Sequence, residues 1–254
     1  MSKILNITTA IFFVIVLIPE ILFAHENIQG SARNSFLSAP QAPDSLSILP
    51  LPPRSDSIAF LMDKAAYEQG RSLAGTDRWH QAIADANLSD DNIGKPFEKA
   101  LGVNISPSET PATYQLLKKI RIDAGRFATA SAKRYYMRPR PFMFFNSHTC
   151  TPEDEVKLRM NGSYPSGHTT LGWATALVLA EIRPERQNLL LQRGYEFGQS
   201  RVICGAHWQS DVDAGRIMGA AVFARLNADA QFIIELNDAK KEITSKIVDL
   251  PGTE

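Results

Sequence analysis

Apolar positions recur at helical spacing along most of this chain, and no stretch alternates residue by residue as a half-buried strand requires. The first periodic stretch predicts a helix over 58–72, where Ile58, Phe60, Leu61, Ala65, Ala66 and Tyr67 form one apolar stripe. A more polar helix is expected over 76–86, with Asp77 as its candidate cap, and a short one over 96–101. The longest pattern covers 108–136. Ser108-Glu109-Thr110-Pro111 is a start signal, and Leu116, Leu117, Ile120, Ile122, Ala124, Phe127 and Ala130 keep the period. It runs into Met137-Arg138-Pro139-Arg140-Pro141. The two prolines remove amide donors and restrict the residues before them, so the helix must stop there. Lys133 then falls in its last turns and Arg140 just beyond the break. Residues 142–163 read as a loop with an aromatic start. Helices are expected over 171–182, 185–199, 207–227 and 228–248, the last amphipathic. No internal repeat is visible. The expected fold class is all-α, a single-domain helical bundle.

The amino end departs from this pattern. Met1-Ser2-Lys3 is a short basic start, residues 4–23 are almost wholly apolar, and Ala24 is a small residue at a cleavage position. Residues 1–24 therefore read as a secretory signal peptide. Leu22 is bulkier, and Glu20 more polar, than is usual there. An uncleaved anchor is the alternative, since the run approaches the roughly 20 residues that cross a bilayer. With cleavage, the mature chain starts near His25 and is not stably inserted in a membrane, because the longest later apolar run, 171–182, is too short and carries Glu181. Residues 25–57 are rich in Pro and Ser and are expected to be extended or disordered, laid across the domain surface. Residues 58–254 would form the helical domain.

Charge and cysteines narrow the class. Lys+Arg and Asp+Glu are both 27 in 254 residues, so there is no basic excess for nucleic acid and no charge block for a disordered tail. Cys150 and Cys204 are the only cysteines. An even count in an exported chain favours a disulfide, with two buried thiols as the alternative.

Three stretches carry the candidate chemistry. In Ser200-Arg201-Val202-Ile203-Cys204-Gly205-Ala206-His207-Trp208-Gln209-Ser210-Asp211, Gly205 breaks what precedes it, and a helix starting at His207 would put Asp211 one turn in. Residues four apart on a helix are neighbours, so the carboxylate could fix the tautomer of His207 and leave its other nitrogen for a substrate. Arg201 offers a planar fork suited to phosphate. Pro165-Ser166-Gly167-His168 is a turn opening a helix, whose free amides and dipole suit an anion. Taken singly, it is more often a plain helix start. The third stretch is Lys133 with Arg140-Pro141.

Taken together, Lys133-(six residues)-Arg140-Pro141, Pro165-Ser166-Gly167-His168 and Ser200-Arg201-(five residues)-His207-(three residues)-Asp211 resemble the signature of the type 2 phosphatidic-acid-phosphatase superfamily, which includes vanadium haloperoxidases. The chain looks like a bacterial class A non-specific acid phosphatase over nearly all of its mature length. Residues 44–50 and 149–152 look like the periplasmic apyrase subgroup. The resemblance implies a periplasmic acid phosphatase that works without metal or other cofactor on phosphate monoesters or nucleotides. It also makes a homo-oligomer the expected assembly. Lys133, Arg140, Arg201 and the amides of Ser166 and Gly167 would bind phosphate. His207 would attack phosphorus, His168 would protonate the leaving oxygen, and Asp211 would orient His207. The alternatives are an apyrase-type nucleoside tri- and diphosphatase on the same site and a vanadate-dependent haloperoxidase.

Other residues are set aside. Arg138 reads as a surface or ion-pairing residue and Arg134 competes poorly with Lys133 on spacing. His25 and His148 are expected in solvated loops, and His80 is assigned no role. Phe142, Phe144, Phe145 and Tyr164 are expected in the core, with a wall of the leaving-group pocket as the alternative. Trp173 and Trp208 are read as core, and Ser163 as a supporting hydrogen-bonding residue.

Overall fold

The computed structural model describes residues 34–248; the expected signal peptide, His25 and residues 249–254 lie outside them. Among the described residues every regular element is helical. In chain order these are α1 (Ser45–Ile48), α2 (Ile58–Arg71), α3 (Asp77–Ala86), α4 (Glu98–Leu101), α5 (Pro111–Ile120), α6 (Ala130–Tyr136), α7 (Pro141–Phe144), α8 (Glu155–Arg159), α9 (Gly167–Ile182), α10 (Gln187–Ile203), α11 (Gln209–Leu226) and α12 (Ala230–Val248).

Helix α9 is the centre of the bundle. Val178, Leu179, Ala174 and Ala176 are fully buried, and α10 and α11 pack along its two sides. Apolar on nearly all faces, it behaves as an interior helix should. The α9–α11 approach depends on the absence of side chains. A Cβ on Gly215 would stand 2.8 Å from the Ser166 carbonyl oxygen, and one on Gly219 would stand 2.8 Å from that of Thr170. Both pairs lie at the amino-terminal half of α9, so the close contact also seats the Pro165–His168 turn. Helix α3 covers α10, and α12 covers α5.

The expected single helix over 108–136 is three pieces. Between α5 and α6, residues Arg121–Phe127 form a π-helical segment, with the Ala128 amide donating to the Asp123 carbonyl at 3.1 Å. The wider turn packs Gly125 against the start of α9, where a Cβ on Gly167 would approach the Gly125 oxygen to 2.9 Å. Wide turns of this kind recur at functional sites.

The segment expected to be extended over 25–57 is an ordered strap where it is described. It contains α1, capped by Asp44, and a single turn at Ala39–Gln41. Asp123 accepts the Phe36 and Leu37 amides at 3.0 Å each, Ser45 Oγ meets Ser131 Oγ at 2.9 Å, and Tyr164 Oη donates to the Pro50 carbonyl at 2.8 Å. Side chains of the domain thus supply partners that the proline-rich backbone cannot supply to itself. Burial pushes the Asp123 carboxyl up to about 6 against the pull of its two amide donors.

Smaller corrections concern caps and loops. Thr76, not Asp77, caps α3, accepting the Trp79 amide at 3.3 Å. Residues 142–163 contain α8 and most of α7 instead of a plain loop. Cys150 and Cys204 form a disulfide, and the Cys150 amide donates to the Cys204 carbonyl at 2.9 Å, so this region is fastened to the end of α10.

Candidate active site

The three sequence motifs converge on one cavity of about 540 Å³, lined by Lys133, Arg140, Gly167, His168, Arg201 and His207 among others. Each arrives for a local reason. Lys133 lies in the last turn of α6, before Met137 adopts a left-handed conformation and the prolines prevent continuation. Arg140 is the N-cap of α7, and Pro141 opens that helix. Ser166 caps α9, its hydroxyl accepting the Thr169 amide at 3.3 Å. Arg201 sits in the last turn of α10. Beyond it Gly205 takes φ of +75°, which only glycine adopts cheaply, and the chain folds back so that the Ala206 and His207 amides both donate to the Arg201 carbonyl. Arginine and histidine are thereby fastened to each other by backbone.

Helix α11 starts at Gln209, so His207 precedes it instead of opening it. The expected contact with Asp211 still forms, through a turn: His207 Nδ1 lies 3.4 Å from Asp211 Oδ2. That is long for a hydrogen bond. The same oxygen accepts the Trp208 amide at 2.9 Å. On the other side of the ring, Arg140 Nη1 lies 2.9 Å from His207 Nε2. A guanidinium can only donate, so Nε2 carries its lone pair toward Arg140 and the ring proton belongs on Nδ1, facing Asp211.

The cations are buried and crowded. Lys133 Nζ donates to the Gly162 carbonyl at 2.7 Å; Arg140 donates to the carbonyls of Leu158 and Ala206 at 2.9 and 3.0 Å. Burial, then the charge of Arg140, drives the Lys133 ammonium well below its usual range. Burial likewise lowers Arg140 and Arg201 to about 10 each, with Asp211 opposing in the first case and Asp154 and Asp85 in the second. Arg201 is 1% exposed, and its Nε and Nη1 have no hydrogen-bond partner among the described residues. Unpaired buried donors of this kind are rare and call for a ligand.

His168 lines the cavity from the first turn of α9. Its Nε2 lies 3.1 Å from the Ala86 carbonyl at the end of α3. A carbonyl only accepts, so Nε2 is protonated and Nδ1 is the nitrogen that gains or loses a proton. Burial first, then Arg201, lowers its pKa well below the ordinary histidine value. His207 is lowered in the same direction by burial, then by Arg140, Lys133 and Arg201.

One predicted ligand is corrected. The Ser166 amide donates to the Asp211 carbonyl at 2.9 Å, and its buried hydroxyl is engaged with Thr169. Ser166 therefore joins α9 to α11 and has no amide left for an anion. Gly167 and His168, which line the cavity, retain first-turn amides without intrahelical partners.

Sequence reasoning missed the support behind Asp211. Arg138, expected at the surface or in an ion pair, is buried and makes two pairs: Nη1 to Asp211 Oδ1 at 2.6 Å and Nη2 to Asp63 Oδ2 at 2.8 Å. Arg138-Pro139 repeats the Arg140-Pro141 dipeptide, a visible signal. Nothing in the sequence pairs it with Asp63. The aromatic alternative also changes. Phe142 and Tyr164 are core, Phe144 is half exposed, and none of Phe142, Phe144, Phe145 or Tyr164 lines the cavity. Its apolar lining includes Leu88, Ile122, Leu158 and Leu171, and Arg126, Lys157 and Arg121, the last paired with Asp90 at 2.7 Å, also line it. Ser163 is buried, with its hydroxyl unpartnered among the described residues. Trp208 is core as expected, donating to the Pro139 carbonyl at 2.8 Å, while Trp173 is only partly buried. His80 and His148 are exposed.

Residues 122–233 match the PAP2 superfamily. Over 211 residues the chain is 52% identical to a Salmonella typhimurium protein named "Non-specific acid phosphatase", covering 83% of this chain and 84% of that one. It is 51% identical over 207 residues to a Providencia stuartii protein of the same name, covering 82% and 84%. A Zymomonas mobilis "Acid phosphatase" is 41% identical over 204 residues, covering 79% and 75%. The family match and an identity near one half across most of both chains lead to one conclusion: the chain belongs to the PAP2 superfamily, as a bacterial class A acid phosphatase.

Proposed function

We propose that the enzyme hydrolyses phosphate monoesters in two displacements through a phosphohistidine on His207, without a metal ion. The observation that carries this reading is Arg201, a buried guanidinium whose Nε and Nη1 are unpartnered among the described residues and which lines the same cavity as His207. A phosphate ester carries close to two negative charges at neutral pH. Lys133, Arg140 and Arg201 neutralise it, and the Gly167 and His168 amides add donors. Arg140 Nη1 exchanges the His207 lone pair for a phosphate oxygen, which frees Nε2. Nε2 then attacks phosphorus, the bond to the leaving oxygen breaks, and His168 Nδ1 delivers a proton to that oxygen. In the second step water attacks the phosphoryl group, His168 takes the water's proton, and the P–N bond breaks to release inorganic phosphate.

Both histidines are neutral in the unliganded cage at neutral pH, because burial and cations lower both pKa values. That suits His207, the nucleophile. His168 needs a proton, and the arriving dianion supplies the field that restores its affinity for one. The cage can therefore charge its acid only when substrate is present, which predicts a bell-shaped rate profile on the acidic-to-neutral side. A metal cation would meet three positive side chains here, and the charge a metal would supply is already provided by them. Chelator is expected to leave the rate unchanged.

Quenched-flow trapping with labelled p-nitrophenyl phosphate tests the assignment. His207→Ala is expected to abolish phosphoenzyme and turnover, while His168→Ala still accumulates phosphoenzyme because p-nitrophenolate leaves without a proton. Full activity in the His207 variant refutes the nucleophile.

A second reading, nucleoside di- and triphosphate hydrolysis, is favoured by Arg126 and Lys157, two exposed cations that line the cavity in addition to Lys133, Arg140 and Arg201. Comparing AMP, ADP, ATP and p-nitrophenyl phosphate separates the two. Halide oxidation with added vanadate and peroxide, in the absence of ester hydrolysis, would favour the haloperoxidase chemistry instead. Export to the periplasm with removal of residues 1–24 belongs to the same proposal and is tested by fractionation and amino-terminal sequencing. Homo-oligomeric assembly, supported by the exposed Ile58, Leu61 and Met62 of α2, is tested by light scattering.

A further inference from the structure

Asp211 is held from behind by a buried chain of polar groups that starts on a distant helix. Arg138 Nη1 donates to Asp211 Oδ1 at 2.6 Å and to Ser210 Oγ at 2.8 Å, and Nη2 donates to Asp63 Oδ2 at 2.8 Å. Asp63, on α2, also accepts the Ser210 amide at 2.8 Å and the Ser210 hydroxyl at 2.6 Å. Its side chain is 2% exposed, that of Arg138 is 7% and that of Asp211 is 0%. Trp208 lies against the guanidinium, 5.5 Å from its ring centroid, so the arginine has little room to turn. Asp63 does not line the cavity and precedes residues 122–233, the part that matches the superfamily.

The chain of groups is a charge arrangement as well as a bracket. Two carboxylates share one guanidinium, so the trio carries one net negative charge, placed behind a cage of three cations. Were Asp63 neutral, Arg138 would be paired with Asp211 alone and the trio would carry none. Asp211 would then offer less field to the Nδ1–H of His207, which must become cationic in character as Nε2 bonds to phosphorus.

We propose that Asp63 is a positioning residue for phosphoryl transfer, acting through Arg138 to leave Asp211 anionic toward His207. This rests on His207 being the nucleophile. The charged groups facing the His207 ring are Arg140, Lys133 and Arg201 from α7, α6 and α10, His168 from α9, and Asp211 from α11; the Ser163 carbonyl is the remaining polar neighbour. Among the described residues, Asp211 is the carboxylate within reach of the His207 ring, while Asp154, which also lines the cavity, acts on Arg201.

The test uses the mature chain with Asp63→Asn, Asp63→Glu and His207→Ala, assayed on p-nitrophenyl phosphate from acid to neutral pH, with melting curves on each. Asp63→Asn is nearly isosteric. It is expected to lower kcat about tenfold, on the scale at which outer hydrogen-bond partners act on an oriented group, with KM little changed. Its acid limb should move to lower pH, because His207 without that charge holds a proton less well. Asp63→Glu restores the limb. An unmoved limb, with kcat reduced only in proportion to the folded fraction, overturns the proposal and leaves Asp63 a structural residue. If Asp63→Asn does not fold, Arg138→Lys carries the same readouts, since lysine keeps the charge but cannot bridge both carboxylates. The same unmoved limb overturns the proposal there too. An inactive His207→Ala beside a normal Asp63→Asn removes only this inference. An active His207→Ala removes the nucleophile reading itself.

Discussion

Replacing Arg201 by Met separates the catalytic value of this residue from its cost to the fold. The guanidinium is 1% exposed, its Nε and Nη1 are unpartnered among the described residues, and it stands in one cavity with Lys133 and Arg140. Each unsatisfied buried donor costs about 1–3 kcal/mol. Met fills similar space without donors, so Arg201→Met is expected to keep or raise stability, by roughly 2–4 °C in Tm for each kcal/mol regained at this size. Activity should move the other way. On the proposed role two phosphate donors are lost, and removing even one preorganised donor lowers kcat by about 10²–10³. The assay pairs kcat on p-nitrophenyl phosphate with thermal melting, with and without vanadate. Vanadate should raise the Tm of the parent enzyme, by about 2.7 kcal/mol of ligand stabilisation at a hundredfold excess over Kd, and should do much less for the variant. A variant that melts well below the parent, with kcat lost only in step with its folded fraction, would refute the reasoning. Arg201 would then be a structural residue.

Three further outcomes are expected. Asp123, raised to about 6 in the fold, contributes stability that is fully present below its unfolded pKa near 3.8 and is lost as pH rises through about 6. Asp123→Asn should therefore remove a decline in urea midpoint between those pH values, and an unchanged pH slope would count against the assignment. Reducing the Cys150–Cys204 bridge, which closes a separation of 54 residues, should cost about 4 kcal/mol by loop-closure entropy, read from denaturant unfolding with and without reductant. Gly215→Ala places a Cβ at 2.8 Å from the Ser166 carbonyl; overpacking of this kind costs about 1–3 kcal/mol. It should also lower kcat by shifting the His168 turn, and a fully active, equally stable variant would contradict that contact.

Much of this protein is legible in its sequence because the determining information is local. The 3.6-residue period of apolar positions specifies helices, and the prolines at 139 and 141 and Gly205 mark where they end. The spacing of Lys133, Arg140, His168, Arg201, His207 and Asp211 picks out the cage because their chemistry requires those residue types. Other features depend on groups far apart in the chain. The π-helical turn at Arg121–Phe127 keeps an apolar pattern that a regular helix would share, and only its packing of Gly125 against Gly167 distinguishes it. The Ser166 amide looks free in a helix-start motif until α11 brings the Asp211 carbonyl to it. Arg138 reads as a surface or ion-pairing cation, and only the fold names its partners, Asp63, 75 residues earlier, and Asp211, 73 residues later. Burial is what turns that arginine from a solvated charge into a bridge, and the chain folded in three dimensions is what buries it. The sequence by itself determined which cationic and imidazole side chains stand at these spacings; the tertiary structure decided which of their donors are buried without a partner among the described residues, because only folding brings or withholds the distant groups that would pair them.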